Sequence, residues 1–312
     1  MAKVAFLVNP ASADGRTGRR WPELAHRAAQ VGLDGPAFLS QRGGHLVQLA
    51  QEAAAQGVEL VVVVGGDGTV NEVARGLLER REQGEPIPDI AVIPQGTGRD
   101  FARTFSLPRD IAGALETAGS GDIQPIDAAR VTYKTWQGET EGSYFVNVAS
   151  AGMSGAIAER ANTTTKALGG KASFLIATLS VFSRWQPAEM TVAVDDVERA
   201  GAMHDVLVGN CRFLGGGMKM CPQADPTDGV FDVLTIGSIT KADLTMTLPK
   251  IYRGSHLPHP KAELLRGAVV TIDAKVPVPI QLDGEQPGTT PATFEIIPQA
   301  LRLRVPRAGS FA

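Results

Sequence analysis

Residues 61–69 read VVVVGGDGT: four valines that stop at three glycines, one carboxylate and one hydroxyl. A turn needs one or two glycines, so Gly65, Gly66, Asp67, Gly68 and Thr69 together suggest chemistry. Glycines let a backbone approach a phosphate closely, and a helix beginning at Thr69 would aim its free N–H groups and positive dipole end at it. Asp67 would repel a bare phosphate; it suits Mg²⁺, which takes few carboxylates and keeps several waters. A plain strand-to-helix turn is the alternative.

IPQGTGRDFAR (93–103) ends the next strand with Gly96, Thr97 and Gly98, then Asp100 opening a helix. VNPAS (8–12) adds a third polar turn, with Asn9 and Ser12. The loops do not follow G-x-x-x-x-G-K-[ST] or G-x-G-x-x-G, and no G-x-S-x-G elbow is present. Later in the chain, LDGE places Asp283 and Glu285 two apart, on one face if the strand continues or in a hairpin turn, where Asp-Gly is the usual pair. ADPTDGVFD offers Asp225 and Asp228 with free carbonyls, suiting a hard cation or a surface turn. His26, His45, His204, His256 and His259 lack metal-ligand spacing. His45 suits a helix cap, and His256 and His259 lie in a proline-bearing loop that could border a ligand channel.

Buried strands must present these loops. KVAFLVNP (3–10), PAFLS, ELVVVV and DIAVIP (89–94) alternate with helical patterns at 19–31, 45–57 and 69–82, which argues a parallel α/β layer. After about Gly121 strand-like runs dominate: DAARVTY, YFVNVAS, EMTVAV, DVLVGN, VFDVLTI, AVVTIDA, VPIQLDG, TFEIIP and LRLRVP. One apolar helical stretch, 166–185, interrupts them as a core helix or a lipid-facing wall ending in Arg184 and Trp185. The expected division is an α/β domain over 1–122 and a mainly antiparallel β-sandwich over 123–297, with the strand at about 298–312 able to return to the first.

With 312 residues and 43% hydrophobic content the chain can bury a large core, and its net charge of -3 without a basic stripe disfavours nucleic acid. The N-terminal apolar run is too short for a signal peptide, and no run of about 18 apolar residues spans a bilayer. Cys211 and Cys221, without a signal, suggest a reduced, cytoplasmic location.

VNPAS, VVGGDGTVNEV and IPQGTGRDFAR, with GGGMKMCPQADPTDGVFDV and PVPIQLDGE, resemble in that order the diacylglycerol kinase catalytic domain family of bacterial lipid kinases. Sphingosine and ceramide kinases belong to the same superfamily, and NAD kinases and phosphofructokinases are distant relatives. The resemblance implies ATP in a cleft between an α/β domain and a β-sandwich, contacted by Asn9, Ser12, Ser40, Gly65 to Asn71, Glu72, Gly96 and Thr97. Ser40 stands where the family usually has threonine. It gathers Asp67, Asp100, Asp127, Asp283 and Glu285 around the triphosphate and its Mg²⁺, with Glu285 as base for a lipid hydroxyl and Asp283 close by. It also implies a structural Mg²⁺ at Asp225, Asp228 and the carbonyl of Val230. Arg99 departs from the family's asparagine and could contact phosphate or displace the usual nucleotide contact. The expected protein is a cytoplasmic, membrane-peripheral lipid kinase with transient membrane contact and a homodimer as an option. An NAD-kinase-like enzyme for a small molecule and a non-enzymatic nucleotide- or lipid-sensing module are the alternatives.

Overall fold

The computed structural model describes residues 3–96, 98–163 and 170–307. The chain forms two compact units, Met1–Ile126 with Gln299–Ala312, and Asp127–Pro298.

The first unit runs β1 (Val4–Val8), α1 (Arg16–Gln30), β2 (Ala37–Leu39), α2 (His45–Ala55), β3 (Leu60–Gly65), α3 (Asp67–Glu82), β4 (Asp89–Pro94), α4 (Asp100–Thr104) and α5 (Ile111–Ser120). The four strands pair in parallel in the order β4-β3-β1-β2, and Leu303 of the last strand pairs in parallel with Ile90 of β4. Every residue of β1 and β3 is buried, as expected where helices cover both faces of a parallel sheet. Leu24, Ala28, Leu115 and Ala118 pack from α1 and α5 onto Phe6, Val62 and Ile93. Registers Val8↔Val64 and Gly65↔Pro94 bring the three polar turns to one carboxyl-end edge, where ligands bind in open α/β sheets. Helix α3 starts at Asp67, two residues before the expected Thr69, so the carboxylate lies in the first turn. Helix α1 likewise starts at Arg16 rather than near 19.

Chain passage into the second unit occurs along β5 (Asp122–Thr135). There follow β6 (Thr140–Phe145), β7 (Val148–Gly152), α6 (Met153–Thr163), α7 (Gly170–Phe182), β8 (Ala188–Val194), β9 (Val197–Gly209), β10 (Phe231–Gly237), α8 (Lys241–Arg253), β11 (Ala262–Gly267), β12 (Val269–Ala274), β13 (Ile280–Leu282) and β14 (Gly288–Val305). Within this unit every named pairing is antiparallel. Phe145, Phe231 and Phe294 meet in its core.

The expected helix at 166–185 is α7, and residues 164–169 lie outside those described. Helices α6 and α8 and strand β11 were not expected. TFEIIP and LRLRVP form one strand, β14, across Pro298, with a left-handed Gln299 (φ 49°) beside it. YFVNVAS splits into β6 and β7 at Val146 and Asn147.

Candidate active site

Two glycine loops of the first unit lie backbone against backbone. A Cβ built on Gly96 would stand 2.4 Å from the Gly66 Cα, and one on Gly66 would stand 3.1 Å from the Gly96 Cα. Side chains are excluded by this contact. Gly68, in contrast, faces open space, with nothing within 4 Å of a built Cβ. Gly66 caps α3 with extended backbone and no side-chain hydrogen bond, so the first-turn N–H groups of a 16-residue helix lack the usual side-chain acceptor. That end suits an anion.

Around it, the Asn9 amide donates to Thr69 Oγ1 at 3.2 Å, and Asn9 Oδ1 accepts from the Ala11 N–H at 3.1 Å. The Ser12 hydroxyl lies 3.7 Å from a Cβ built on Gly66. Ser40 follows β2, its N–H donating to the Val8 carbonyl at 2.9 Å. Asn9, Ser12, Ser40, Gly65, Gly66, Asp67, Gly68, Thr69 and Gly96 thus lie along one edge. Asn71 is buried on α3. Thr97 lies outside the described residues.

Asp67 is half-buried, and its Oδ1 accepts the Phe101 N–H at 3.1 Å. Burial raises its pKa; hydrogen bonds from the Asp100, Phe101 and Arg99 backbone oppose this. A cation beside it would favour the ionised form. Asp67 can therefore hold Mg²⁺ together with phosphate oxygens, the usual one-or-two-carboxylate arrangement. Asp100 pairs through Oδ1 with Arg103 at 2.6 Å, while a Cβ built on Gly98 would stand 2.6 Å from Asp67 Oδ2 and 3.8 Å from Asp100 Oδ2, so both carboxylates border Gly98. Among the described residues no three His, Cys, Asp or Glu side chains converge as a metal site.

Glu72 does not cap its own helix. Its Oε2 accepts the Leu46 N–H at 3.1 Å, at the start of α2, where a carboxylate complements the dipole. Arg99 is left-handed (φ 61°) and its guanidinium donates to the Pro108 carbonyl at 3.3 Å. With Arg103, Ser106 and Arg109 it lines a polar cleft of ≈ 220 Å³. Burial, then repulsion from Arg109 and Arg103, lowers its pKa, and Asp67 partly offsets this. The sequence reading missed Arg103 and Arg109, although the repeated arginines were a signal.

In the second unit, LDGE is a two-residue hairpin turn. The Leu282 N–H donates to the Glu285 carbonyl at 2.8 Å, and the Glu285 N–H returns to Leu282 at 2.9 Å. Asp283 (φ 49°) and Gly284 (φ 93°) are both left-handed, as a type I′ turn requires. Strand alternation does not place the two carboxylates on one face, which corrects that expectation. The Asp283 carboxylate accepts the N–H groups of Val146 at 2.9 Å, Asn147 at 3.0 Å and Val148 at 2.9 Å. These donors sit at the β6–β7 break. Gln281 adds a brace, accepting the Gly284 N–H at 2.7 Å and donating to the Val148 carbonyl at 3.1 Å. Glu285 is exposed at the end of this turn.

Asp127 is buried on β5, its Oδ2 accepting the Gly229 N–H at 2.8 Å while its own N–H donates to Pro226 at 2.7 Å. It therefore pins the 225–230 loop. Asp225 Oδ1 accepts the Thr227 N–H at 3.1 Å and hydroxyl at 2.7 Å. Asp228 pairs with Arg266, and its Oδ1 accepts the Val230 N–H at 3.2 Å. The positive charge facing Asp228 is a guanidinium, so the donor set does not fit a structural Mg²⁺.

An apolar cavity of ≈ 90 Å³ opens among α6, α7, α8 and β10, lined by Met153, Ile157, Leu234, Leu244 and Ile251 among others. His256 and His259 border it, as does Asp205. His256 bonds the Met220 carbonyl at 3.1 Å, and burial lowers its pKa.

The architecture is thus a parallel α/β unit with stacked glycine loops, followed by an antiparallel β unit. Residues 3–131 match the family model "Diacylglycerol kinase catalytic domain", and residues 147–305 match "YegS C-terminal NAD kinase beta sandwich-like domain". The chain belongs to this diacylglycerol kinase family of lipid kinases. Diacylglycerol kinase from Staphylococcus carnosus (strain TM300) is 26% identical over 305 residues, covering 98% of this chain and 95% of the relative. That from Bacillus subtilis (strain 168) is 26% identical over 310 residues, covering 98% and 97%. A crystal structure of a diacylglycerol kinase from Bacillus anthracis str. Sterne superposes with TM-score 0.72 at 21% identity, covering 97% of each chain. Yeast NADH kinase complexed with NADH shares the fold at TM-score 0.55 and 10% identity, covering 99% of this chain and 84% of that one. Among the described residues no helix is long and apolar enough to cross a membrane.

Proposed function

We propose that the protein transfers the γ-phosphoryl group of ATP to the hydroxyl of a lipid alcohol, with diacylglycerol as the default acceptor. The observation that carries this reading is the stacking of Gly66 on Gly96 at the uncapped end of α3, with Asp67 in the first turn. ATP with Mg²⁺ supplies the transferable phosphoryl group and neutralises its developing charge. The chain's own residues do the rest. Backbone N–H groups at Gly68 and Thr69 hold phosphate oxygens, Asp67 holds the cation, and Asn9 fixes the Thr69 hydroxyl. Arg99 adds a charged donor where the family usually has asparagine. In the second unit Glu285 removes the acceptor hydroxyl's proton, and Asp283 with Gln281 holds the turn that orients it. The apolar cavity takes acyl chain.

Ile176 and Leu179 on α7 are each 49% exposed. Three residues apart, they share a helix face and give a surface for transient membrane contact by a cytoplasmic protein. The test is transfer from radiolabelled ATP into a panel of lipid alcohols, with NAD as a competing acceptor and extracted products resolved. Labelled lipid supports the reading; label confined to NAD, or to no acceptor, overturns it.

A further inference from the structure

Within the apolar cavity of the second unit one polar group stands out. Asp205 lines the cavity and is 1% exposed. Its two oxygens are treated differently. Oδ2 accepts the Ser154 N–H at 3.2 Å and also the Ser154 hydroxyl. Oδ1 is buried without a hydrogen-bond partner. An ionised carboxylate with a buried, unpaired oxygen is costly. Burial accordingly raises its pKa to about 7, the Ser154 and Val206 hydrogen bonds opposing the shift. Because Oδ2 is occupied as an acceptor, the proton of the neutral acid resides on Oδ1. The cavity therefore has mostly hydrocarbon walls, with the Asp205 acid proton as one of the donors among its lining residues.

We propose that Asp205, as a neutral acid braced by Ser154, donates from Oδ1 to the carbonyl oxygen of an acyl ester, making the enzyme selective for acyl-ester lipids over ether lipids. Asp205 is a specificity residue here, separate from the phosphoryl-transfer groups, and the inference rests on the lipid kinase reading. An ester carbonyl accepts one hydrogen bond well, whereas the ether analogue lacks that oxygen. A buried donor left without an acceptor loses affinity. One neutral hydrogen bond corresponds to a preference of roughly three- to tenfold.

Other ionisable groups face the same space: Asp243, His256, His259 and Lys261 line the cavity, and His204, whose Nδ1 lies 3.2 Å from the Gly237 carbonyl, is adjacent in sequence. A ratio of two acceptors measured on one protein cancels their effects on catalysis, and the variants isolate Asp205. The experiment compares kcat/KM for diacylglycerol with that for the dialkyl ether of equal chain length in mixed micelles. Wild type, Asp205→Asn and Asp205→Leu are measured from pH 6 to 8.5, and calorimetric binding of both lipids is measured without ATP.

The expected wild-type ester preference is largest at pH 6 and falls as pH rises through about 7. Asp205→Asn, whose amide presents an N–H in place of the acid proton and a carbonyl to Ser154, keeps the preference and makes it independent of pH. Asp205→Leu abolishes it. If Asp205→Leu does not fold, the contrast between wild type and Asp205→Asn decides alone. A wild-type ratio near one, or an Asp205→Asn ratio that collapses, overturns the inference. Ester-selective binding with no lipid phosphorylation would instead overturn the kinase reading and leave this one standing.

Discussion

Replacing Asp283 separates anchoring from catalysis. Its carboxylate accepts three backbone N–H groups, from Val146, Asn147 and Val148, at 2.9–3.0 Å, and all three residues are buried. Asp283→Ala leaves those donors without an acceptor. Each buried donor so exposed costs about 1–3 kcal/mol. Water reaching the half-buried site meets part of that, so a loss of about 3 kcal/mol is the working figure. In a unit of this size about 1 kcal/mol moves Tm by roughly 2–4 °C, giving a fall of roughly 6–12 °C. Asp283→Asn keeps one acceptor oxygen and sets an amide N–H against the remaining donors, so it falls between wild type and alanine. Glu285→Gln is a control with the opposite profile. Its side chain is exposed, so stability should change by no more than about 0.5 kcal/mol, while kcat on a confirmed lipid acceptor drops at least about a hundredfold. The assays are thermal unfolding, hydrogen exchange at the three amides, and kcat. An Asp283→Ala protein that melts with wild type and keeps those amides protected would refute the anchor. Asp283→Asn with native stability and no turnover would return Asp283 to the chemistry.

Gly96→Ala places a methyl 2.4 Å from the Gly66 Cα and must part the loops by about 1 Å, a misplacement that can cost about 10²-fold in turnover; unchanged kcat would refute the stacked-loop site. Gly68→Ala meets nothing within 4 Å and should gain about 0.4–1 kcal/mol in unfolding experiments while weakening ATP binding, and intact ATP affinity would mean that phosphate does not approach there. Arg99→Asn should raise the ATP KM roughly ten- to hundredfold, one charged hydrogen bond's worth, with the lipid KM little changed; an unaltered ATP KM would place Arg99 elsewhere. Asp228→Ala should lower Tm by roughly 2–3 °C through loss of a partly exposed ion pair, equally with Mg²⁺ or chelator; a Mg²⁺-dependent rise confined to wild type would restore the cation site. Asp205 binds its proton more tightly folded than unfolded, so wild-type stability should fall as pH rises from about 4 to the folded pKa of about 7. Asp205→Asn should remove that decline, and parallel stability–pH curves would refute it.

What the sequence made legible was local. GGDGT and GTGRD each hold their chemistry within a few residues of a strand end, and the parallel registers of β1, β3 and β4 bring those ends together without any long-range information. Helix α8 was also written locally, in the reciprocal Thr240–Asp243 capping box and the left-handed Gly254 stop, with Pro249 inside it as a contrary signal. Partners distant in sequence were not legible. Glu72 caps a helix that begins at His45, and Asp283 serves amides at the β6–β7 break, choices made by packing. Asp205 looked like the first residue of a buried strand; only the arrival of α6 beside it reveals which oxygen Ser154 satisfies and which stays bare.

The reading of LDGE shows why turn and active-site interpretations of such motifs need not compete. A general base must be held where the acceptor hydroxyl arrives, which asks for a fixed backbone beneath it. A type I′ turn fixes four backbone dihedrals. The Asp283 carboxylate then ties its first central residue to three amides, and Gln281 ties its second. Glu285 is the next residue, with its own N–H and carbonyl both bonded to Leu282. Asp-Gly is the pair a type I′ turn demands, and under the proposed role the rigidity of that turn would give Glu285 the fixed origin that proton removal requires.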